Sequence, residues 1–182
     1  WRAGLANPEK YSADLYGTAW KKAMAMKGNT GANLDTHFSS DSPEWYTPPE
    51  IIERVVRLMG AIDLDPCSNS KGKPHVPASE HYTQDTDGLS REWTGRVYMN
   101  PPYGDVIDAW VEKLCAEYVS GRTVEAIALV PARVDTAWFR RLRDCAVCFV
   151  KGRLKFSGHK DSAPFPSAVV YFGLRIEQFN ET

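Results

Sequence analysis

Cysteine is scarce in this chain, with four in 182 residues, at positions 67, 115, 145 and 148. So few, so scattered, exclude a disulfide-stapled scaffold, and a chain of this length buries a sufficient core without one. Cys145 and Cys148 do form a C-x-x-C, but inside Cys145-Ala146-Val147-Cys148-Phe149-Val150, which reads as a strand. Side chains three apart on a strand point to opposite faces, so the pair makes a poor chelate or redox couple. No second C-x-x-C and no H-x-x-x-H completes a zinc set. The histidines at 37, 75, 81 and 159 show no ligand spacing either. The expectation is reduced, mostly buried cysteines and no metal.

Long apolar runs are missing too. The longest, Ala126 to Ala132, falls far short of the roughly 20 residues of a membrane helix. The opening Trp1-Arg2-Ala3-Gly4 carries no apolar core of a secretory signal. A dominant charge is absent as well, since the formal net charge is −1. The hydrophobic fraction of 43% and charged fraction of 25% exclude disorder. These readings predict a soluble, cytoplasmic protein with no membrane contact and no obligate protein partner.

What charge there is lies unevenly. Between Phe139 and Lys160 stand seven basic residues (Arg140, Arg141, Arg143, Lys151, Arg153, Lys155, Lys160) against one acid, Asp144. A basic edge on an acidic body suits a polyanion held at one face, although a solvated helix and loop would look the same.

Residues 1–44 are polar, with a helix predicted over Ser12 to Ala25 and a Ser39-Ser40-Asp41-Ser42-Pro43 linker. They are expected to form an arm ahead of a folded domain over 45–182. Thr47-Pro48-Pro49-Glu50 reads as a capping box, and Ile51, Ile52, Val55, Val56 and Met59 continue at helical spacing to Gly60. Strands are predicted at Ala61–Asp65, His81–Thr83, Arg96–Met99, Val124–Val130, Cys145–Val150 and Ser167–Gly173. Helices are predicted over Ile107 to Tyr118 and Thr136 to Arg143. The alternation predicts an α/β fold, an open, mostly parallel, doubly wound (Rossmann-like) sheet with helices on both faces. Ligands bind beyond the carboxyl ends of such strands, where Asp65 and Asn100 fall.

Asn100-Pro101-Pro102-Tyr103 is the most informative tetrapeptide. Two prolines alone make a stiff turn leaving a strand. Chemistry explains the flanking amide and aromatic as well. An amino group on a heteroaromatic ring is a weak nucleophile because its lone pair is delocalised. Two acceptors on its N–H groups, the Asn100 side-chain oxygen and the Pro101 carbonyl, would hold the nitrogen nearer tetrahedral geometry. Pro102 would fix the carbonyl direction and Tyr103 would stack on the ring. That is catalysis by positioning and electrostatics.

The tetrapeptide resembles the fourth motif of amino-group methyltransferases that use S-adenosylmethionine. Trp45-Tyr46-Thr47-Pro48, Leu64-Asp65-Pro66-Cys67, Asp87-Gly88-Leu89, Trp93, Asn100 to Tyr103 with Trp110, and Gly152-Arg153-Leu154-Lys155-Phe156 follow in order. In that order they resemble phage-type DNA adenine-N6 methyltransferases (Dam-like), over Trp45 to Phe172. The resemblance implies that Trp45, Thr47 and Pro48 line the methionine end of the cofactor. Asp65 would contact its amino group, with Pro66 and Cys67 shaping the wall. Asp87 would bind its ribose or adenine, a task for which Asp85 competes. Asn100, Pro101 and Tyr103 would hold the base, with Phe156 either stacked on its other side or part of the core. The turn after Asp65 lacks the Gly-x-Gly that many methyltransferases place there.

The implied substrate is an adenine turned out of double-stranded DNA, whose phosphates would meet Arg140, Arg141, Lys151, Arg153, Lys155 and Lys160. Base reading would fall to residues 1–44, the Ser68–Lys73 loop or the Ser157–Pro166 loop, which predicts a short site. RNA adenine, cytosine N4 or protein glutamine as acceptor stay open, as does a catalytically silent binding module.

Overall fold

The computed structural model describes residues 45–158 and 160–182. The predicted arm over 1–44 and its helix lie outside the described residues. Six strands form one sheet: β1 (Ile62–Asp65), β2 (Ala78–His81), β3 (Gly95–Met99), β4 (Thr123–Pro131), β5 (Ala146–Phe149) and β6 (Ser167–Phe172). Their spatial order is β2-β1-β3-β4-β6-β5. β2, β1, β3 and β4 run parallel, and β6 runs antiparallel to both β4 and β5. This is a mixed α/β architecture with a mostly parallel sheet.

The side-chain alternation of the two central strands builds a core on each face. Val97 and Met99 of β3 and Ala126, Ala128 and Val130 of β4 pack under α2 (Ile107–Val119), against Ile107, Trp110, Val111 and Leu114. Tyr98, Ile127 and Leu129 point the other way, against Ile52, Val55, Leu58 and Met59 of α1 (Pro49–Met59). β4 is buried at every position but Val124, as a strand covered on both faces must be.

The structure departs from the sequence expectations in several places. The capping box at Thr47 does not form: the cap is Pro48, with no side-chain hydrogen bond, and Pro49 opens the helix. The Thr47 hydroxyl is engaged elsewhere, as described below. β2 starts earlier than expected, because an edge strand of sequence Ala-Ser-Glu-His has little apolar alternation to read. Between β1 and β2 and between β2 and β3, where no helix is predicted, the structure likewise has no α-helix. Thr136 caps α3 (Ala137–Arg140), shorter than predicted, and α4 (Ile176–Glu181) was not foreseen. The cysteines are less buried than expected: 67, 115 and 145 are half-buried and Cys148 is exposed, since β5 is an edge strand. No helix among the described residues is long and apolar enough to cross a membrane.

Candidate active site

The site is built where β1 and β3 end side by side. Asp65 is the last residue of β1, 4% exposed, and its Oδ1 accepts the Cys67 N–H at 3.2 Å. Burial pushes its carboxyl up to about 6, against the pull of that N–H and the charge of His81. No ion pair reaches it among the described residues. A buried carboxylate in this state is an acceptor for a cationic group, which would hold it ionised.

The loop after β2 is pressed against this turn. A Cβ on Gly88 would stand 2.0 Å from the Pro66 carbonyl oxygen, so only glycine fits the approach. The Trp93 indole N–H donates to the Gly88 carbonyl at 2.7 Å, and Trp93 stacks on Trp110 with centroids 5.8 Å apart. Asp87 beside it is exposed, in the left-handed region at φ 46°, with one carboxylate oxygen accepting the Leu89 N–H. The fixed loop thus sets the exposed Asp87 next to the Asp65 turn. Asp85 lies exposed in the preceding 3-10 turn, Gln84–Thr86.

Asn100 follows β3 directly. Its amide nitrogen donates to the Trp45 carbonyl at 2.6 Å and to Thr47 Oγ1 at 3.2 Å. Its oxygen accepts the Tyr103 hydroxyl at 2.9 Å. Thr47, 1% exposed, also shares a 2.6 Å hydrogen bond with the buried Tyr98 hydroxyl. The Thr47 carbonyl meets His75 Nε2, and His75 stacks on Tyr46. Behind the tetrapeptide, burial pushes the Cys67 thiol well up, and burial also raises the Tyr98 and Tyr103 hydroxyls. All three stay protonated at neutral pH. The Asn100–Tyr103 bend is rigid, with Pro101 buried, Pro102 exposed and Tyr103 half-buried.

Aromatic rings converge on Tyr103. Its ring lies 5.3 Å from Phe165 and 6.3 Å from Phe156, both edge-on. Trp45 stands edge-on to the same two phenylalanines, at 5.2 and 5.4 Å. The Ser157 N–H donates to the Tyr46 carbonyl at 2.8 Å and ties the two segments together. A cleft of about 280 Å³ opens beside Tyr103, lined also by Asp105, Pro131, Arg133, Trp138 and Phe165. It lies at the carboxyl ends of β3 and β4, where an α/β sheet binds ligands.

A sequence model of the DNA N-6-adenine-methyltransferase (Dam) family matches residues 35–169, more than half of the chain. The chain belongs to this Dam family. Membership implies methylation of adenine N6 in DNA, and so a DNA substrate. A search of the curated proteins returned no match.

For a Dam-family chain the expected residues fall in two groups. Trp45, Thr47, Asn100, Tyr103 and Phe156 come together in one network, with Pro48 buried beside Thr47. Asp65, Pro66 and Cys67 form the neighbouring turn, and Asp87 stands beside it on the loop after β2. Phe156 is 1% exposed and sits at the floor of the ring cluster. Arg140, Arg141, Lys151, Arg153, Lys155 and Lys160 are all exposed, and Arg141 pairs with Asp108 at 3.3 Å. Sequence reasoning missed Phe165, Trp138 and Arg133. Phe165 carried one signal, an aromatic between two prolines at the end of the loop already suspected of base reading.

Proposed function

We propose that this protein transfers the methyl group of S-adenosylmethionine to the N6 amino group of an adenine turned out of duplex DNA, at a short specific site. The observation that carries this reading is the state of Asn100 at the carboxyl end of β3, bonded to Tyr103 of the cleft. Both amide protons are engaged, while its oxygen accepts one hydrogen bond and keeps a lone pair for another. That lone pair and the Pro101 carbonyl would take the two protons of an adenine amino group. Tyr103 would lie on the purine face, with Phe165 and Trp138 as walls of the cleft. The six-stranded sheet is read as the doubly wound, Rossmann-like type.

The chain offers a matching cradle for the cofactor. Asp65, buried and with no ion-pair partner among the described residues, fits the cofactor's amino group, and the exposed Asp87 carboxylate fits ribose hydroxyls or adenine. The bound cofactor supplies a methyl carbon made electrophilic by its sulfonium. Asn100 and Pro101 orient the amino lone pair toward it, and the apolar cluster around Tyr103 excludes water from the reacting atoms. The exposed basic residues from Arg140 to Lys160 would hold phosphates, and residues 1–44 would form an arm facing DNA.

The test is methyl transfer from labelled S-adenosylmethionine to unmethylated duplex DNA, followed by mass analysis of the nucleosides. N6-methyladenine is expected, and Asn100→Ala should form it at least about 100-fold more slowly. A product on cytosine, RNA or protein would contradict the substrate, and full activity of Asn100→Ala would contradict the mechanism.

A further inference from the structure

We infer that Thr47, held in turn by Tyr98, is a positioning residue that holds the nitrogen end of the Asn100 amide and so keeps its oxygen toward Tyr103. The inference rests on the reading of Asn100 as the residue that holds the target amino group. An asparagine side chain has a donor end and an acceptor end of nearly equal shape, so its neighbours decide its direction. Here the Nδ2 end faces two oxygens, the Trp45 carbonyl at 2.6 Å and Thr47 Oγ1 at 3.2 Å. Turning the amide over would set its oxygen against the Trp45 carbonyl, two acceptors face to face, which is costly.

Thr47 cannot swing aside to relieve that clash. It is 1% exposed, and its hydroxyl shares a 2.6 Å hydrogen bond with Tyr98, itself completely buried. The chain from Tyr98 through Thr47 to Asn100 joins the sheet interior to the bend and leaves Oδ1 toward Tyr103, 2.9 Å away. It also explains why an amide stands at position 100. A carboxylate there would set an oxygen against the Trp45 carbonyl. The roles of the segment therefore differ: the Thr47 hydroxyl serves Asn100 and is not free to line a cofactor wall.

Thr47→Val, Thr47→Ser and Tyr98→Phe test this in the full-length protein with three readouts. These are kcat on DNA adenine, the Kd of S-adenosylhomocysteine, and hydrogen exchange of the Asn100 side-chain amide by NMR. Thr47→Val should lower kcat about 10- to 100-fold, the scale of a misplaced catalytic group, with Kd held within about twofold. Thr47→Ser should restore kcat, and the Asn100 amide protons, protected in the wild type, should exchange faster in Thr47→Val. A Kd weakened by about tenfold or more with kcat at saturation unchanged would make Thr47 a cofactor contact and overturn the inference. Unchanged kcat and exchange would overturn it too. If Thr47→Val does not fold, Tyr98→Phe decides by the same readouts, and no change there counts against the inference. If the wild type leaves adenine untouched, the proposed function fails while the exchange experiment still decides the network. Protected Asn100 protons that Thr47→Val exposes then support it, and unprotected ones refute it.

Discussion

Asp63 and Asp65 stand two residues apart on β1 and live in opposite electrostatic worlds. Arg96 donates to both oxygens of Asp63, at 2.7 and 2.8 Å, and holds its carboxyl below the usual range. Asp65 has no such partner, and burial pushes it up to about 6. The contrast extends to the two ends of the sheet. At the amino ends of the parallel strands every buried acid is closed by a cation. Glu125 takes Arg175 and the Tyr171 hydroxyl, each at 2.5 Å, and Glu117 takes Lys113 at 2.6 Å and Arg122. The cleft there, about 250 Å³, is lined by the already paired Glu125, Arg96 and Arg175. At the carboxyl ends the polar groups around Asn100 are uncharged and bonded to one another, and the buried Asp65 carboxylate beside them has no ion-pair partner among the described residues. On the function proposed above, the bound cofactor supplies that partner.

The largest effect expected from breaking this contrast is at Asn100. Asn100→Ala should lower kcat by about 10²- to 10³-fold, the usual loss for one preorganised polar group, with the circular dichroism spectrum unchanged. At the opposite end, Glu117→Ala should behave the other way round. Removing the acid between the half-buried Lys113 and the exposed Arg122 takes away two charge-assisted hydrogen bonds, so chemical denaturation should show a loss of about 2 kcal/mol, while the folded fraction keeps its kcat.

Asp65→Asn sharpens the comparison through pH. The native carboxyl holds its proton to about 6 and the unfolded one only to 3.8, so ionisation opposes folding above that window. Stability contributed by the neutral form is present at low pH and lost as pH rises through about 6. Asp65→Asn should therefore be more stable than the wild type at pH 8, by about 3 kcal/mol, and no different at pH 3. Asp63→Asn has the reverse sign. The paired carboxylate stabilises above the unfolded value of 3.8, so the variant's deficit should shrink as pH falls below it. The smallest effects belong to the exposed basic residues. Lys151→Ala or Arg153→Ala should weaken DNA binding a few-fold and reduce the salt slope by about 1 each, measured by fluorescence anisotropy at several salt concentrations.

Much of the frame was legible because it depends on local pattern. The continuous apolar run of β4, the Gly60 stop of α1 and the stiff Asn-Pro-Pro-Tyr bend after β3 all read directly from neighbouring residues. Local pattern misled at Thr47, where a plausible helix cap is overruled by partners 51 and 53 residues away. No periodicity announces such a bond. Phe165 stayed hidden for the same reason: its meaning comes from rings at 45, 103 and 156, which only the fold assembles. Likewise Asp65 and Asp63 are one residue type on one four-residue strand, and only Arg96, arriving on β3, tells them apart.

The decisive measurement is calorimetric titration of S-adenosylhomocysteine into the wild type and Asp65→Asn between pH 5 and 8. An unpaired carboxylate waiting for the ligand's ammonium predicts tight binding above pH 6, and a proton released on binding below it. Affinity should fall by up to about tenfold per pH unit in that lower range, and Asp65→Asn should bind weakly throughout. Equal affinity in both proteins, flat across the whole range, would show that nothing at the carboxyl ends of the strands was left open for a cation.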